Sequence, residues 1–228
     1  AFEHTLLKPF IDLQLSDSMN KLIRLDTINL NPLHIAIPFL HEMCHINDID
    51  NIIYILEKNP DSINEYCSEG RNVIDYVLMK YSETIEEKCI ATIKLLLDKC
   101  KTTKNKLLNH QNIFGFRTIE TAIQFTSHKI VELLINNGCD INRTIVNDTI
   151  YYPPITNNDP LSFACQCNKD DIVDVLLKSN VIINLFNCKN KIYDGIPTAI
   201  LCGIYCDSSN AINKIMSHNK IIKLCNNE

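Results

Sequence analysis

The sequence predicts an all-α fold, a solenoid of stacked helix pairs with hairpin and loop connections. Three observations support this prediction: one helix-pair pattern recurs five times, each recurrence starts at a turn residue, and the spacing varies only through loop insertions. A single amphipathic helix pair cannot bury both of its faces. The five units must therefore stack and share one continuous core.

The first helix of each unit begins with a short motif that contains a small or aliphatic residue. These motifs start at Asn31, Asn72, Arg117, Asp159 and Asp194. Asn and Asp side chains accept hydrogen bonds from the free amides of a first helical turn, so Asn31, Asp159 and Asp194 are predicted N-caps. Pro32 and Pro160 follow at the first helical position, where the missing N–H costs least.

The second helix of each unit is recognised by aliphatic residues at i, i+3 and i+4 spacing, which is typical of one buried helical face. These helices contain the segments that start at Ile52, Thr92, Ile130, Ile172 and Ile212. Gly138 lies where the second helix of its unit ends, and glycine readily adopts the positive φ found there.

The small or aliphatic positions of the first helices mark the period of the pattern. They are Ala36, Val77, Ala122, Ala164 and Ala199, separated by 41, 45, 42 and 35 residues. The pattern resembles the ankyrin repeat, with the segment 127–142 as its best match to the second half of the consensus. The 33-residue unit of that family, plus insertions confined to loops, accounts for the spacings. The resemblance predicts about five repeats over residues 31–216, with residues 1–30 as an N-terminal helical cap or degenerate repeat and 217–228 as a C-terminal cap or tail.

Composition narrows the classes of partner and compartment. A net charge of −5 and a pI near 5.8 argue against nucleic acid as a partner, because phosphate binding needs a basic field. The longest charge-free run, Thr27 to His41, contains Asn, His and Pro and predicts no membrane span. The 11 cysteines are odd in number and form no CxxC pair, which favours free thiols in a reducing, intracellular and cytoplasmic environment.

One motif suggests a different function. His41-Glu-Met-Cys-His45 is an HExxH sequence, which on a helix can hold zinc through both histidines while Glu42 acts as general base. Glu65 lies about twenty residues further on, in a segment that resembles the third-ligand motif of thermolysin-like metalloproteases. A zinc-dependent hydrolase using these four residues is therefore one alternative, and adventitious metal binding at His41, Cys44 and His45 is another.

The repeat register favours a structural role for the same residues. Ile52 through Asn72 fits the ankyrin pattern without an insertion, so Glu65 falls in a repeat-to-repeat turn. The 40 residues before His41 contain no strand pattern, whereas that protease fold needs a sheet there. We therefore expect no metal, no cofactor and no catalytic residue.

The resemblance implies that the chain binds another protein through inner helices and hairpin loops. The insertion between Asn142 and Asp159 corresponds to a projecting hairpin, and its expected contact residues are Ile145, Asn147, Tyr151, Tyr152 and Ile155. Tyrosine gives a large contact area at a small entropy cost. The alternative is that these residues fold back and cover the core.

The composition and one basic cluster suggest further roles. Ile- and Asn-rich ankyrin proteins are common in protists, poxviruses and intracellular bacteria, which suggests host interaction, including in the host cytoplasm. The array could instead be a spacer or an autoinhibitory part of a larger enzyme. The lysines Lys99, Lys101, Lys104 and Lys106 follow a helix end and are interpreted as a solvated face, with an anionic partner as the alternative.

Overall fold

The computed structural model describes residues 40–100, 103–142, 145–146, 157–179, 181 and 198–219. Several predicted features lie outside the described residues. They are the cap at residues 1–30, the first-unit residues Asn31, Pro32 and Ala36, the N-cap Asp194 and most of the C-terminal tail.

The described chain consists of helices in sequential pairs. The first helix of each pair, called inner here, is α1 (residues 40–45), α3 (Val73–Met79), α6 (Thr118–Phe125), α8 (Pro160–Gln166) or α10 (Thr198–Tyr205). The second, called outer, is α2 (Ile49–Lys58), α4 (Glu86–Lys99), α7 (His128–Asn136), α9 (Asp170–Lys178) or α11 (Ser209–Ser217). This arrangement confirms the all-α fold of stacked helix pairs.

Five shorter elements complete the described chain. A short helix, α5 (Lys104–Asn109), follows α4, and 3₁₀ turns cover Pro60–Asn64 and Glu83–Ile85. Two-residue strands β1 (Ile145–Val146) and β2 (Asn157–Asn158) pair antiparallel, with Ile145 opposite Asn158 and Val146 opposite Asn157. The ends of the predicted hairpin insertion are thus joined by a short ladder.

Neighbouring pairs stack in chain order. Inner helices α3, α6, α8 and α10 each pack against the next, and outer helices α7, α9 and α11 do the same. The predicted small or aliphatic positions Val77, Ala122, Ala164 and Ala199 are all buried at this inner contact. Their side chains let the inner helices approach closely, so the buried apolar residues of successive pairs form one continuous cluster.

The local signals that start and end helices act as predicted at several points. The Asp159 carboxylate accepts a hydrogen bond from the Ser162 N–H at 2.8 Å and caps α8, with Pro160 as its first residue. Gly138 follows α7 with φ of +100°. Three turns between paired helices use an Asn or Asp in the left-handed region, at Asn47, Asn168 and Asp207.

Polar contacts also join consecutive outer helices. Lys129 at the start of α7 pairs with Glu86 at the start of α4 at 2.8 Å. The Nδ1 atom of His128 lies 3.0 Å from the Oδ2 atom of Asp171 in α9. The Nζ atom of Lys214 in α11 lies 2.6 Å from the Oδ2 atom of Asp174 in α9. These pairs are partly or well exposed, so solvent screens their charges and each contributes little to stability. The stack is therefore held mainly by its apolar core.

The nine cysteines of the described chain are free thiols, and six of them are buried. Within the described residues, no helix has the length and apolar character needed to cross a lipid bilayer.

Candidate partner-binding surface

Two loops between helix pairs form hairpin fingers of the same design. Finger 1 (residues 65–71) leads into α3, and finger 2 (residues 110–116) leads into α6. In finger 1, the Cys67 N–H donates to the Arg71 carbonyl at 3.0 Å and the Gly70 N–H donates to the Cys67 carbonyl at 2.8 Å. In finger 2, 45 residues later, the equivalent bonds measure 2.8 Å and 3.0 Å. The repeat register seen in the inner helices therefore extends through the fingers.

The two fingers contact each other through their backbones. The Ile113 N–H of finger 2 donates to the Glu69 carbonyl of finger 1 at 3.0 Å. Gly70 has φ of +73°, and a Cβ atom there would lie 3.2 Å from the Cα of Asn112 and 3.4 Å from the nitrogen of Ile113. Only glycine both adopts this conformation freely and leaves room for the neighbouring finger.

Side chains extend this contact. The Tyr66 and His110 rings stack with centroids 3.8 Å apart and planes 29° apart. Burial and the nearby Lys106 charge lower the pKa of His110, so the stacked imidazole is neutral at pH 7. The Arg71 guanidinium lies 5.4 Å from the centroid of the Phe114 ring. These contacts join fingers 1 and 2 along their length.

Asn72 anchors the base of both fingers. Its side-chain oxygen accepts hydrogen bonds from the N–H groups of Ile74 and Asp75 and so caps α3. Its side-chain amide donates to the Leu107 carbonyl and to the Thr118 hydroxyl, each at 2.9 Å. One buried side chain thus satisfies groups from α3, α5 and α6, which fixes how the second and third repeats sit against each other.

The tip of finger 2 exposes apolar side chains. Ile113 is 68% exposed and Phe114 is 42% exposed. Both amides are bonded, since Ile113 donates to Glu69 and the Phe114 N–H donates to the side-chain oxygen of Asn112 at 3.0 Å. The apolar tip therefore sits on a backbone whose hydrogen bonds are already formed.

Most of the contact residues predicted from the sequence lie outside the part of the chain that the structure describes. Ile145 lies in β1, where only its backbone is described. Asn147, Tyr151, Tyr152 and Ile155 lie outside the described residues, so their contacts stay a prediction. Sequence reasoning missed Ile113 and Phe114, although an apolar pair directly before Gly115 in an otherwise polar turn is a usable signal.

The HExxH residues pack as part of the repeat. His41 is buried, its Nε2 atom lies 3.4 Å from the Arg71 carbonyl oxygen, and its ring meets the edge of Tyr76 at 4.7 Å. The His45 ring lies 6.2 Å from the same tyrosine ring. In the part of the chain that the structure describes, no three His, Cys, Asp or Glu side chains are grouped as a metal site requires. The histidines thus join the first described pair to the second.

The lysines also have contacts that the sequence did not predict. Lys104 and Lys106 lie in α5, a short helix between α4 and finger 2. The sequence pattern predicted only a loop insertion in this part of the chain. The Lys104 ammonium donates to the side-chain oxygen of Asn137 at 2.6 Å, and that of Lys106 lies 5.9 Å from the Tyr66 ring centroid. Lys99 is the last residue of α4, and Lys101 lies outside the described residues. Lys106 therefore lies against finger 1, whereas Lys104 joins α5 to the end of α7.

Comparison with known proteins gives two similarities, and no protein-family model matches the chain. Both similar proteins come from Acanthamoeba polyphaga mimivirus and are named as ankyrin repeat proteins. One is 26% identical over 203 residues, which are 85% of this chain and 23% of that protein. The other is 29% identical over 183 residues, which are 79% of this chain and 18% of that protein.

The chain thus spans about a fifth of the length of these relatives. Sequence similarity, stacked helix pairs and fingers in one register agree with one another. Together they support the assignment of this chain to the ankyrin repeat proteins.

Proposed function

We propose that the chain is a non-catalytic protein-interaction module that binds its partner through the tips of fingers 1 and 2. The similarity to ankyrin repeat proteins supports a protein-interaction module. The observation that carries the finer proposal is the exposed pair Ile113 and Phe114 on a hydrogen-bonded finger.

Preorganisation is the physical reason to favour this surface. A loop that is already ordered loses little conformational entropy on binding, so more of the contact energy appears as affinity. The Phe114 ring has one side near Arg71 and is partly exposed to solvent. A partner that covers Ile113 and Phe114 with an apolar side chain gains most from this surface, because aromatic anchors dominate such contacts.

The hairpin insertion is the second part of the proposed surface. Its ends are joined by the ladder between β1 and β2, which matches a hairpin at this position. Tyr151, Tyr152 and Ile155 remain the proposed contact residues of this hairpin, together with Asn147 and with Ile145 of β1. The next finger along the stack would thereby extend the binding surface beyond Phe114.

The proposed setting is the cytoplasm of a host cell. The two similar proteins belong to a virus named after an amoeba. In this setting, the interaction module binds a host protein. As a spacer or autoinhibitory part of a larger protein, it would use the same surface to bind another part of that protein.

Comparative affinity capture from an Acanthamoeba lysate tests the proposal. Three baits are immobilised: the unmodified chain, Ile113→Ser with Phe114→Ser, and a control with Ile204→Ser and Tyr205→Ser. The control pair is also an aliphatic and an aromatic side chain and is exposed at 61% and 57%, against 68% and 42% for the finger pair, but it lies in the last described helix pair. We expect a defined set of proteins on the unmodified and control baits, reduced at least tenfold on the finger variant at equal melting temperature. Equal capture by all three baits would refute the proposal.

A further inference from the structure

The last described helix pair, α10 and α11, exposes large apolar side chains. Of the large apolar side chains that the structure describes, the four most exposed are Ile113 of finger 2 and three in this pair. These three are Ile204 at 61%, Tyr205 at 57% and Met216 at 49%. A group of exposed apolar side chains on a folded protein marks a place where another molecule binds.

The turn between α10 and α11 repeats the turn between α8 and α9, 39 residues later. Asn168 and Asp207 both have positive φ, at +53° and +55°. The Asn168 N–H donates to the Cys165 carbonyl at 3.1 Å, and the Asp207 N–H donates to the Ile204 carbonyl at 3.3 Å. The two pairs can therefore be compared position by position. This register pairs Ile204 with Cys165, Tyr205 with Gln166, Met216 with Leu177 and Gly203, rather than Ala199, with Ala164.

In the inner helix of the preceding pair, α8, the equivalent positions are covered by α10. Cys165 is fully buried, and its carbonyl accepts a hydrogen bond from the Ser208 hydroxyl at 2.6 Å. The side-chain amide of Gln166 donates to the Cys202 sulfur at 3.6 Å. These positions of an inner helix therefore face the next helix pair in the stack.

The outer helices show the same direction. Asp170 and Asp174 lie on the side of α9 that faces α11, because both carboxylates contact the Lys214 ammonium, at 3.1 Å and 2.6 Å. Leu177 follows on the same helical face and is buried. Met216, its equivalent in α11, is exposed on the side where the stack would continue. The end face, defined as Ile204, Tyr205 and Met216, is thus the stacking side of the last described pair.

Charge distinguishes the end face from the stacking side of the preceding pair. Where α9 has Asp170 and Asp174, α11 has Ser209 and Asn213, and both are exposed. Among the residues of α10 and α11, only Lys214 is charged, and its ammonium is bound to α9. The end face therefore offers no anion to a cation of the kind that Lys214 supplies. Two copies of this uncharged face can meet without repulsion between like charges.

We propose that the end face binds the end face of a second copy of the chain, which gives a two-fold symmetric dimer. In such a dimer the apolar side chains of one copy cover those of the other, because a two-fold axis brings the same patch of both subunits together. The contact continues the stacking interface that joins the earlier pairs. It lies two helix pairs away from fingers 1 and 2, so it is independent of the proposed partner-binding surface.

Analytical ultracentrifugation over a wide range of concentration tests the proposal. We expect a reversible equilibrium between monomer and dimer for the unmodified chain. Ile204→Ser with Tyr205→Ser should raise the dissociation constant of the dimer about tenfold or more, with an unchanged circular dichroism spectrum. The control, Ile113→Ser with Phe114→Ser, should dimerise like the unmodified chain, although it loses partner capture. A monomer up to near-millimolar concentration, or a dimer that the Ile204 and Tyr205 changes leave intact, would overturn the proposal.

Charge substitutions at Asn213 distinguish pairing with a second copy from binding of any other molecule. Asn213→Asp and Asn213→Lys each place like charges on both halves of a symmetric interface. At low ionic strength, each variant alone should dimerise more weakly than an equal mixture of the two, in which opposite charges meet. The same changes at Asn210 are the control, because this exposed residue corresponds to Asp171, which lies on the opposite side of α9 and contacts His128 of α7. Equal association of the single Asn213 variants and their mixture would overturn the proposal.

Discussion

Replacing Gly70 with alanine separates the contact between fingers from the conformational cost of a left-handed residue. Gly70 and Gly138 both have positive φ, at +73° and +100°. They differ in their surroundings, since a Cβ atom on Gly70 meets the Asn112 backbone at 3.2 Å and one on Gly138 meets nothing within 4 Å. Gly138→Ala is therefore a matched control.

The expected magnitudes follow from these two environments. Placing alanine in the left-handed region costs about 1–2 kcal/mol, and this applies to both variants. In Gly70→Ala the close contact is with backbone, which cannot rotate away, so finger 2 must move by a few tenths of an ångström. Weakening of the bond from the Ile113 N–H to the Glu69 carbonyl and the displaced packing together add about 1–2 kcal/mol.

Urea unfolding and thermal melting measure the difference. We expect Gly70→Ala to lower the free energy of unfolding by about 1–2 kcal/mol more than Gly138→Ala, or roughly 2–8 °C in melting temperature for a chain of this size. The φ of Gly138, +100°, is further from the left-handed minimum near +57° than the φ of Gly70, +73°. Alanine therefore costs more backbone energy at position 138, so the comparison underestimates the contribution of the contact between fingers. If Gly138→Ala were as destabilising as Gly70→Ala, the close contact between fingers would be refuted.

Two further predictions concern the hairpin and the HExxH sequence. Tyr151→Ala with Tyr152→Ala should weaken partner binding by about 2 kcal/mol or more with little change in melting temperature, and a fall of several degrees would show instead that the tyrosines cover the core. Elemental analysis of the purified chain should give far less than one zinc per molecule. A content of about one zinc per molecule that is lost in the double variant His41→Ala, His45→Ala would overturn this expectation.

The helix pairs were predictable because the signals that form them are local. Aliphatic spacing located the outer helices, and the small or aliphatic positions Val77 and Ala122 located the inner contact between repeats. The Asp159 cap and Pro160 gave the start of α8. These signals act within one or two turns of helix, so a sequence pattern records them.

The contacts between fingers could not be predicted in this way. The hydrogen bond from the Ile113 N–H to the Glu69 carbonyl joins two backbones, so it requires no particular side chain that a sequence pattern could reveal. The burial of Asp75 depends on how the next repeat covers it, and an acid in a first helical turn is equally typical of an exposed position. Helix α5 was missed because a six-residue helix is stabilised by its contacts rather than by its own pattern.

The exchange rate of the Ile113 amide tests most directly that fingers 1 and 2 form one preformed surface. The Ile113 side chain is mostly exposed, yet its N–H donates to the Glu69 carbonyl of the other finger. Ser68, exposed in the turn of finger 1, has an amide with no hydrogen bond among the described residues and serves as the reference. After correction for intrinsic rates, we predict that the Ile113 amide exchanges at least tenfold more slowly than that of Ser68. Equal, unprotected exchange at both amides would contradict the account.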